Sequence, residues 1–209
     1  MKLKNFLKSL NSRVIFFIVI APWFAFAKPQ AIFLSTDHCV AWKAKKVVAL
    51  VKNVEPIGKN CKITVALKSV EAGGFQFVGR FPVAGFDSQE PDRDKEVNKI
   101  LKADTHPDLI FESLVMSKEQ WSEILQNGTG EIPGNLSAAG VSAALTFAVS
   151  AEKNGENYVF TGSVVSNYTT FKITPPKVAG GLIAKAKDYL EFHFRFQSSQ
   201  LAGFAELVK

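Results

Sequence analysis

The chain has 209 residues, 25 Lys and Arg against 19 Asp and Glu, and only two cysteines. Its first 27 residues hold Lys2, Lys4, Lys8 and Arg13 and no acid, so residues 28–209 carry 21 bases against 19 acids and the net charge falls from +6 to +2. Those bases are scattered and not interleaved with aromatic residues, which excludes a groove for single-stranded nucleic acid; no nucleic-acid partner is expected.

The basic start runs into an apolar stretch over 14–26 and then Ala25-Phe26-Ala27, a small-x-small cleavage signal. Together they read as a secretory signal peptide cut after Ala27. The apolar stretch is shorter than the ~20 residues of a membrane-crossing helix and has Pro22 near its end, which disfavours the alternative of an uncleaved anchor. Residues 28–209 then suit one domain. Cys39 and Cys61 both lie in it, and an oxidising compartment favours a disulfide worth roughly 3 kcal/mol through the unfolded state. Two buried free thiols are the alternative. A metal site from His38, Cys39, Cys61 and His106 is not expected: neighbours on a strand point to opposite faces, and no Cys-x-x-Cys or His-x-x-x-His spacing occurs.

Strands dominate the remainder of the chain. Ile63, Val65 and Leu67 alternate with polar residues, and after the Ala72-Gly73-Gly74 turn Phe75, Phe77, Phe81 and Val83 continue the pattern, predicting a hairpin. Helical spacing of Val97, Ile100 and Leu101 predicts a short helix over 93–103 with an acidic first turn. Leu109, Phe111 and Val115 line one side of a strand, with Ser113 in series. Ser117 is an N-cap for a helix carrying Trp121, Ile124 and Leu125 to the Asn127-Gly128 break. Val141, Ala143, Leu145, Phe147 and Val149 form an apolar face, and Asn154-Gly155-Glu156 turns the chain into a strand over 158–166. Residues 182–188 read as helical. Leu190, Phe192, Phe194 and Phe196 then alternate with Glu191, His193, Arg195 and Gln197, which puts His193 on a solvated exterior. Six to nine such strands argue for an all-β sandwich or a closed barrel, and period alone leaves both open.

Three stretches carry a resemblance. Arg93-Asp94 opens a short helix, followed by Pro107 and Leu109-Ile110-Phe111-Glu112-Ser113; Gly134-Asn135-Leu136-Ser137-Ala138-Ala139-Gly140-Val141 forms a glycine-bounded turn; Asp37-His38-Cys39-Val40-Ala41-Trp42 opens the domain. Together they resemble the YceI-like family of secreted polyisoprenoid-binding proteins, with Cys39 and Trp42 as departures. The stretch from Ser166-Asn167-Tyr168 to Pro175-Pro176 resembles a polar turn and a strand of that family. Asp188-Tyr189-Leu190-Glu191-Phe192 resembles its closing strand. The resemblance implies an antiparallel lipocalin-like barrel of about eight strands with one or two short helices, wide enough for one apolar ligand. The span 43–60 is short for the family's first hairpin.

Function then turns on the barrel interior. Its expected lining is Phe111, Leu145, Phe147, Val149, Phe160, Val164, Phe192, Phe194 and Phe196, which suits an isoprenoid or other long-chain lipid as ligand. The same pattern also describes a solid core, as in a secreted scaffold or interaction domain. Arg93 and Asp94 are candidates for a headgroup contact or a structural pair. No catalytic residue, metal or cofactor is expected: Gly140-Val141-Ser142-Ala143-Ala144 lacks the second glycine of a nucleophile elbow, and the three histidines stand in no relation to a Ser or Cys. A lipid-modifying hydrolase is the less favoured alternative, as is a membrane-embedded barrel. The expected location is periplasmic or secreted, with transient membrane contact and, as the resemblance implies, a homodimer.

Overall fold

The computed structural model describes residues 31–49, 51–70, 73–178 and 183–209; the leader and its expected cut lie outside them. In chain order the strands and helices are β1 Cys39–Val48, β2 Lys52–Val54, β3 Ile57–Asn60, β4 Thr64–Ser69, β5 Gly74–Pro82, α1 Pro91–Ile100, β6 Asp108–Ser113, β7 Met116–Ser117, α2 Lys118–Asn127, β8 Thr129–Ala138, β9 Val141–Asn154, β10 Asn157–Ser166, β11 Lys177–Val178, β12 Ala184–Gln197 and α3 Phe204–Leu207. They form one curled sheet in the order β2-β1-β12-β10-β9-β8-β6-β5-β4, with β3 also on β1, β7 on β5 and β11 on β12. Half-burial of each strand explains the period-2 sequence: along β9, Phe147 and Val149 are buried while Thr146, Ala148 and Ser150 are exposed. The β8–β9 hairpin needs left-handed backbone at both turn residues, Ala139 (φ 52) and Gly140 (φ 82).

The two edges of the sheet meet without a continuous ladder. Lys59 and Asp87 exchange two backbone hydrogen bonds of 2.9 Å, and the Leu67 amide donates to the Ala202 carbonyl at 2.7 Å. Cys39 and Cys61 are bonded to each other beside this seam, joining the start of β1 to the residue after β3. The barrel is therefore closed by local ties rather than by strand pairing all round.

The helix expected after Ser117 is α2. Its capping box is complete, with the Gln120 amide donating to Ser117 Oγ at 3.2 Å and the Ser117 amide donating to Gln120 Oε1 at 2.8 Å. Gly128 ends it at φ 72, and Trp121 and Ile124 are buried against the barrel.

Four expectations are corrected. The first helix spans Pro91–Ile100, starting and stopping earlier than 93–103. Residues 184–188 begin β12 instead of a helix, because Lys46–Val48 of β1 and the short β11 pair with them. The stretch from Ser166 to Pro176 holds a 3-10 turn, Thr169–Phe171, instead of a strand; the Thr169 amide and hydroxyl donate to the Asp188 carboxylate at 3.1 and 2.6 Å, and Phe171 and Ile173 are buried. Val115 is 54% exposed rather than in line with Phe111, because β6 stops at Ser113, whose Oγ accepts from the Phe77 amide and donates to the Leu114 carbonyl.

Candidate binding site in the barrel interior

Inward-facing rows are fixed by register. Gly162 pairs with Val149 on one side and Phe194 on the other, and Phe160 pairs with Phe196, so β9, β10 and β12 present these side chains at matching heights. Gly162 carries no side chain at this level, and the Phe194 ring lies over it, in space that a Cβ would contest.

Five phenylalanines close a circuit around the interior. Phe111 meets Phe147 at 4.9 Å between ring centroids, Phe147 meets Phe194 at 5.6 Å, and Phe194 stacks on Phe196 at 4.6 Å with planes 9° apart. Phe196 meets Phe77 at 5.6 Å, and Phe77 returns to Phe111 at 6.1 Å. Four different strands thus supply one ring of aromatic contacts, each pair adding about 0.5–1.5 kcal/mol beyond its buried area. Phe204, from α3, packs on Phe160 at 5.7 Å and on Tyr158 at 5.9 Å.

The space left inside is small. A cavity of about 60 Å³ admits water-sized contents; clefts around the rings, counted out to solvent, bring the unfilled volume to about 810 Å³. The enclosed 60 Å³ sets what fits at rest, since an apolar protein cavity of roughly 150 Å³ holds one benzene. Of the expected lining, Phe111, Phe147, Val149, Phe160, Phe192, Phe194 and Phe196 border the cavity. Leu145 and Val164 are half-buried and pack against the same core outside the lining.

Residues not anticipated there include Phe77, Phe86 and Trp121, and from beyond the last strand Leu201, Phe204 and Leu207. The last three recur at intervals of three, a helical signal that follows the final strand. His193, expected in solvent, borders the cavity with its side chain only 16% exposed and its Nε2 3.2 Å from Glu191 Oε1. Burial lowers its pKa from the ordinary value. Glu191 also accepts from Tyr189 and pairs with Lys43 at 3.2 Å. Among the described residues, His193 is the one titratable member of the lining.

Arg93 and Asp94 stand apart from the cavity. Asp94 Oδ1 accepts from the Ser88 amide at 3.0 Å, and Arg93 donates to the Ser88 carbonyl at 3.3 Å. The pair fastens the first turn of α1 to the loop before it. His106 packs against the Gly140 turn. An open groove of about 690 Å³ lies outside the barrel between Ile32, Phe33 and the polar faces of β8, β9 and β10, with Thr129, Ser150, Thr161 and Ser163 on its floor.

Fold and interior together define a lipocalin-like antiparallel barrel with an aromatic, apolar inside. The chain belongs to the YceI-like domain family, whose model matches residues 33–197. It is similar in structure to BcnA of Burkholderia cenocepacia, at a TM-score of 0.56 and 19% identity over 75% of this chain and 95% of that one. It is also similar to a polyisoprenoid binding domain from Saccharophagus degradans, at 0.55 and 8% identity over 76% and 92%. The YCEI protein of Campylobacter jejuni matches at 0.50 and 16% identity over 67% and 82%. At such identities the likeness is one of fold. No curated protein sequence matches the chain. The family match stops at residue 197, so Leu201, Phe204 and Leu207 reach the cavity from a segment beyond it.

Proposed function

We propose that the protein binds an isoprenoid-type or other long-chain apolar lipid inside its barrel and carries it outside the cytoplasm, without catalysing its conversion. The observation that carries this reading is the closed circuit of Phe77, Phe111, Phe147, Phe194 and Phe196 around an interior bordered by a single titratable side chain among the described residues. Such a lining rewards a chain of methylenes at about 0.8 kcal/mol each and gives water nothing to bond. Family membership and the polyisoprenoid binding named for the Saccharophagus degradans relative support it. The Cys39–Cys61 disulfide and the basic, apolar leader support an extracytoplasmic location, with the cut after Ala27. A homodimer is part of the same reading.

Loading requires movement, since about 60 Å³ is far below the roughly 300–1,000 Å³ of ligand pockets. The rings have no polar ties and turn about their χ angles. Residues 201–207 are held to the barrel by backbone and by apolar packing: the Ala202 carbonyl accepts from the Leu67 amide, Phe204 packs on Phe160 and Tyr158, and among the described residues no side-chain hydrogen bond or ion pair holds them. The small resting cavity is also the observation that favours a second reading, a filled-core scaffold domain.

Native mass spectrometry of the mature protein, purified from its host without detergent, separates the two. A stoichiometric apolar adduct removed by solvent extraction is the expected result, and its mass names the lipid. A bare mass, unchanged after incubation with prenyl alcohols, overturns the lipid reading in favour of the filled core. The same spectrum reads the dimer directly.

A further inference from the structure

Four strands continue past the barrel as a flap. The last β10 rung pairs Ser166 with Leu190; before Leu190 in the chain, β12 is paired only with β1 and β11. There Val48 lies between Lys52 and Ala184, and Val47 between Asn53 and Lys185, in the order β2-β1-β12-β11. The Ala49 amide donates to the Ile183 carbonyl at 2.9 Å, which ties the end of β1 to the start of β12.

Charge is distributed unevenly between this flap and the rest. The stretches 43–54 and 176–187 contain Lys43, Lys45, Lys46, Lys52, Lys177, Lys185 and Lys187 and no Asp or Glu. They hold seven of the 21 bases of residues 28–209 and none of the 19 acids, so the remainder is net acidic; Asp188, at the root of the flap, is tied to Thr169. Lys43 is neutralised by Glu55 and Glu191 at 3.1 and 3.2 Å, and Lys45 lies over the Tyr189 ring at 3.9 Å. Lys46, Lys52, Lys177, Lys185 and Lys187 have no ion-pair partner among the described residues, and the last four are exposed. Between these lysines, next to the ends of the described strands, stand Val51, 83% exposed, and Ile183, 57% exposed.

We propose that the flap is a membrane-docking edge that seats the barrel on anionic phospholipid. Lysine ammonium groups meet headgroup phosphates while Val51 and Ile183 enter the boundary between headgroups and acyl chains, the pairing of basic and apolar side chains that interfacial binding requires. Lysine stems suit this because they lie along apolar surface while the charge stays at the headgroups. A nucleic acid would use the charge and leave both apolar side chains in water. The net-acidic remainder of the domain is repelled by the same surface, so the attraction also orients the molecule. Docking by this edge is independent of what fills the barrel.

Co-flotation of the mature protein tests it, with vesicles of phosphatidylcholine alone or with an equal part of phosphatidylglycerol. Partition onto the anionic vesicles is expected to exceed that onto neutral ones by about tenfold or more and to fall in about 1 M salt, where screening shrinks to ~3 Å. Lys185→Glu with Lys187→Glu, and separately Val51→Asp with Ile183→Asp, are each expected to reduce it by about tenfold. Lys99→Glu with Lys118→Glu makes the same charge change on α1 and α2 and is expected to leave it unchanged. Equal partition of the unaltered protein onto both vesicles overturns the proposal, as does equal loss in the flap and control variants.

Discussion

Asn60 spans the seam of the barrel. Its side-chain nitrogen donates to the Pro82 carbonyl at 2.8 Å and its side-chain oxygen accepts from the Lys62 amide at 2.7 Å, with no part of the residue exposed. Asn60→Leu keeps the bulk and strands both backbone groups. A loss of about 2 kcal/mol or more is expected, read as a lower midpoint in urea unfolding. An unchanged midpoint would mean that the seam is held elsewhere.

The disulfide is the second tie at the seam. Cys39 is buried and Cys61 exposed, with 22 residues of separation between them. Cys39→Ser with Cys61→Ser is expected to cost about 3 kcal/mol, since the unfolded chain regains the freedom of that loop. Denaturant midpoints with and without a dithiol reductant check this, and the double variant should no longer respond to reductant.

Phe147 links Phe111 to Phe194 in the aromatic circuit. Phe147→Ala is expected to destabilise by about 3–5 kcal/mol and to leave a larger apolar void. Benzene should then raise the melting temperature of the variant and not that of the unaltered protein, because a dry cavity of sufficient size takes up a small apolar guest. Absence of a benzene shift would show that the neighbouring rings collapse into the space.

Histidines and carboxylates act in separate pH windows. Burial lowers the pKa of both His38 and His193 from the ordinary 6.5. The unfolded chain therefore binds more protons just below pH 6.5, and stability falls as pH drops through that value toward the depressed folded ones. Asp37 and Glu191 behave differently. Burial pushes both carboxyls up, but Lys59 and the Leu34 amide outweigh it at Asp37, and Tyr189 and Lys43 outweigh it at Glu191, leaving both below their ordinary 3.8 and 4.5. Their contribution is present above those values and is lost as pH falls further. Thermal melts from pH 7 downward should show the histidine loss first; His38→Gln with His193→Gln should flatten that part of the curve alone.

Much of this was legible in the chain. Phe192, Phe194 and Phe196 announce an inner face because a barrel strand is half-buried along its whole length, and the Ser117 cap marks α2 because its hydrogen bonds are local. The start of β12 was not legible: Ala184, Lys185, Ala186 and Lys187 favour a helix locally, and only pairing with β1 and β11 makes them strand. Burial of His193 escaped for a related reason, since alternation assigns its face and cannot show that Ile32 and Phe33, distant in sequence, share that face with it. Whether the interior is hollow is likewise absent from the pattern. The same phenylalanines line a void or fill it according to how their rings turn.

Sheet order also dictates when the barrel can be completed. From β4 to β12 each long strand pairs with one made shortly before it, but β1 pairs with β12, and Cys39 lies opposite Arg195. Emerging from synthesis or translocation, β1 carries Val40, Trp42 and Ala44 toward a partner made nearly at the end of the chain. Until then its long-range edge is open, and the slow closure of such high-separation pairings governs the folding rate. During that wait β2 and β3 cover only the opposite edge of β1, and the Cys39–Cys61 bond ties its start to the residue after β3.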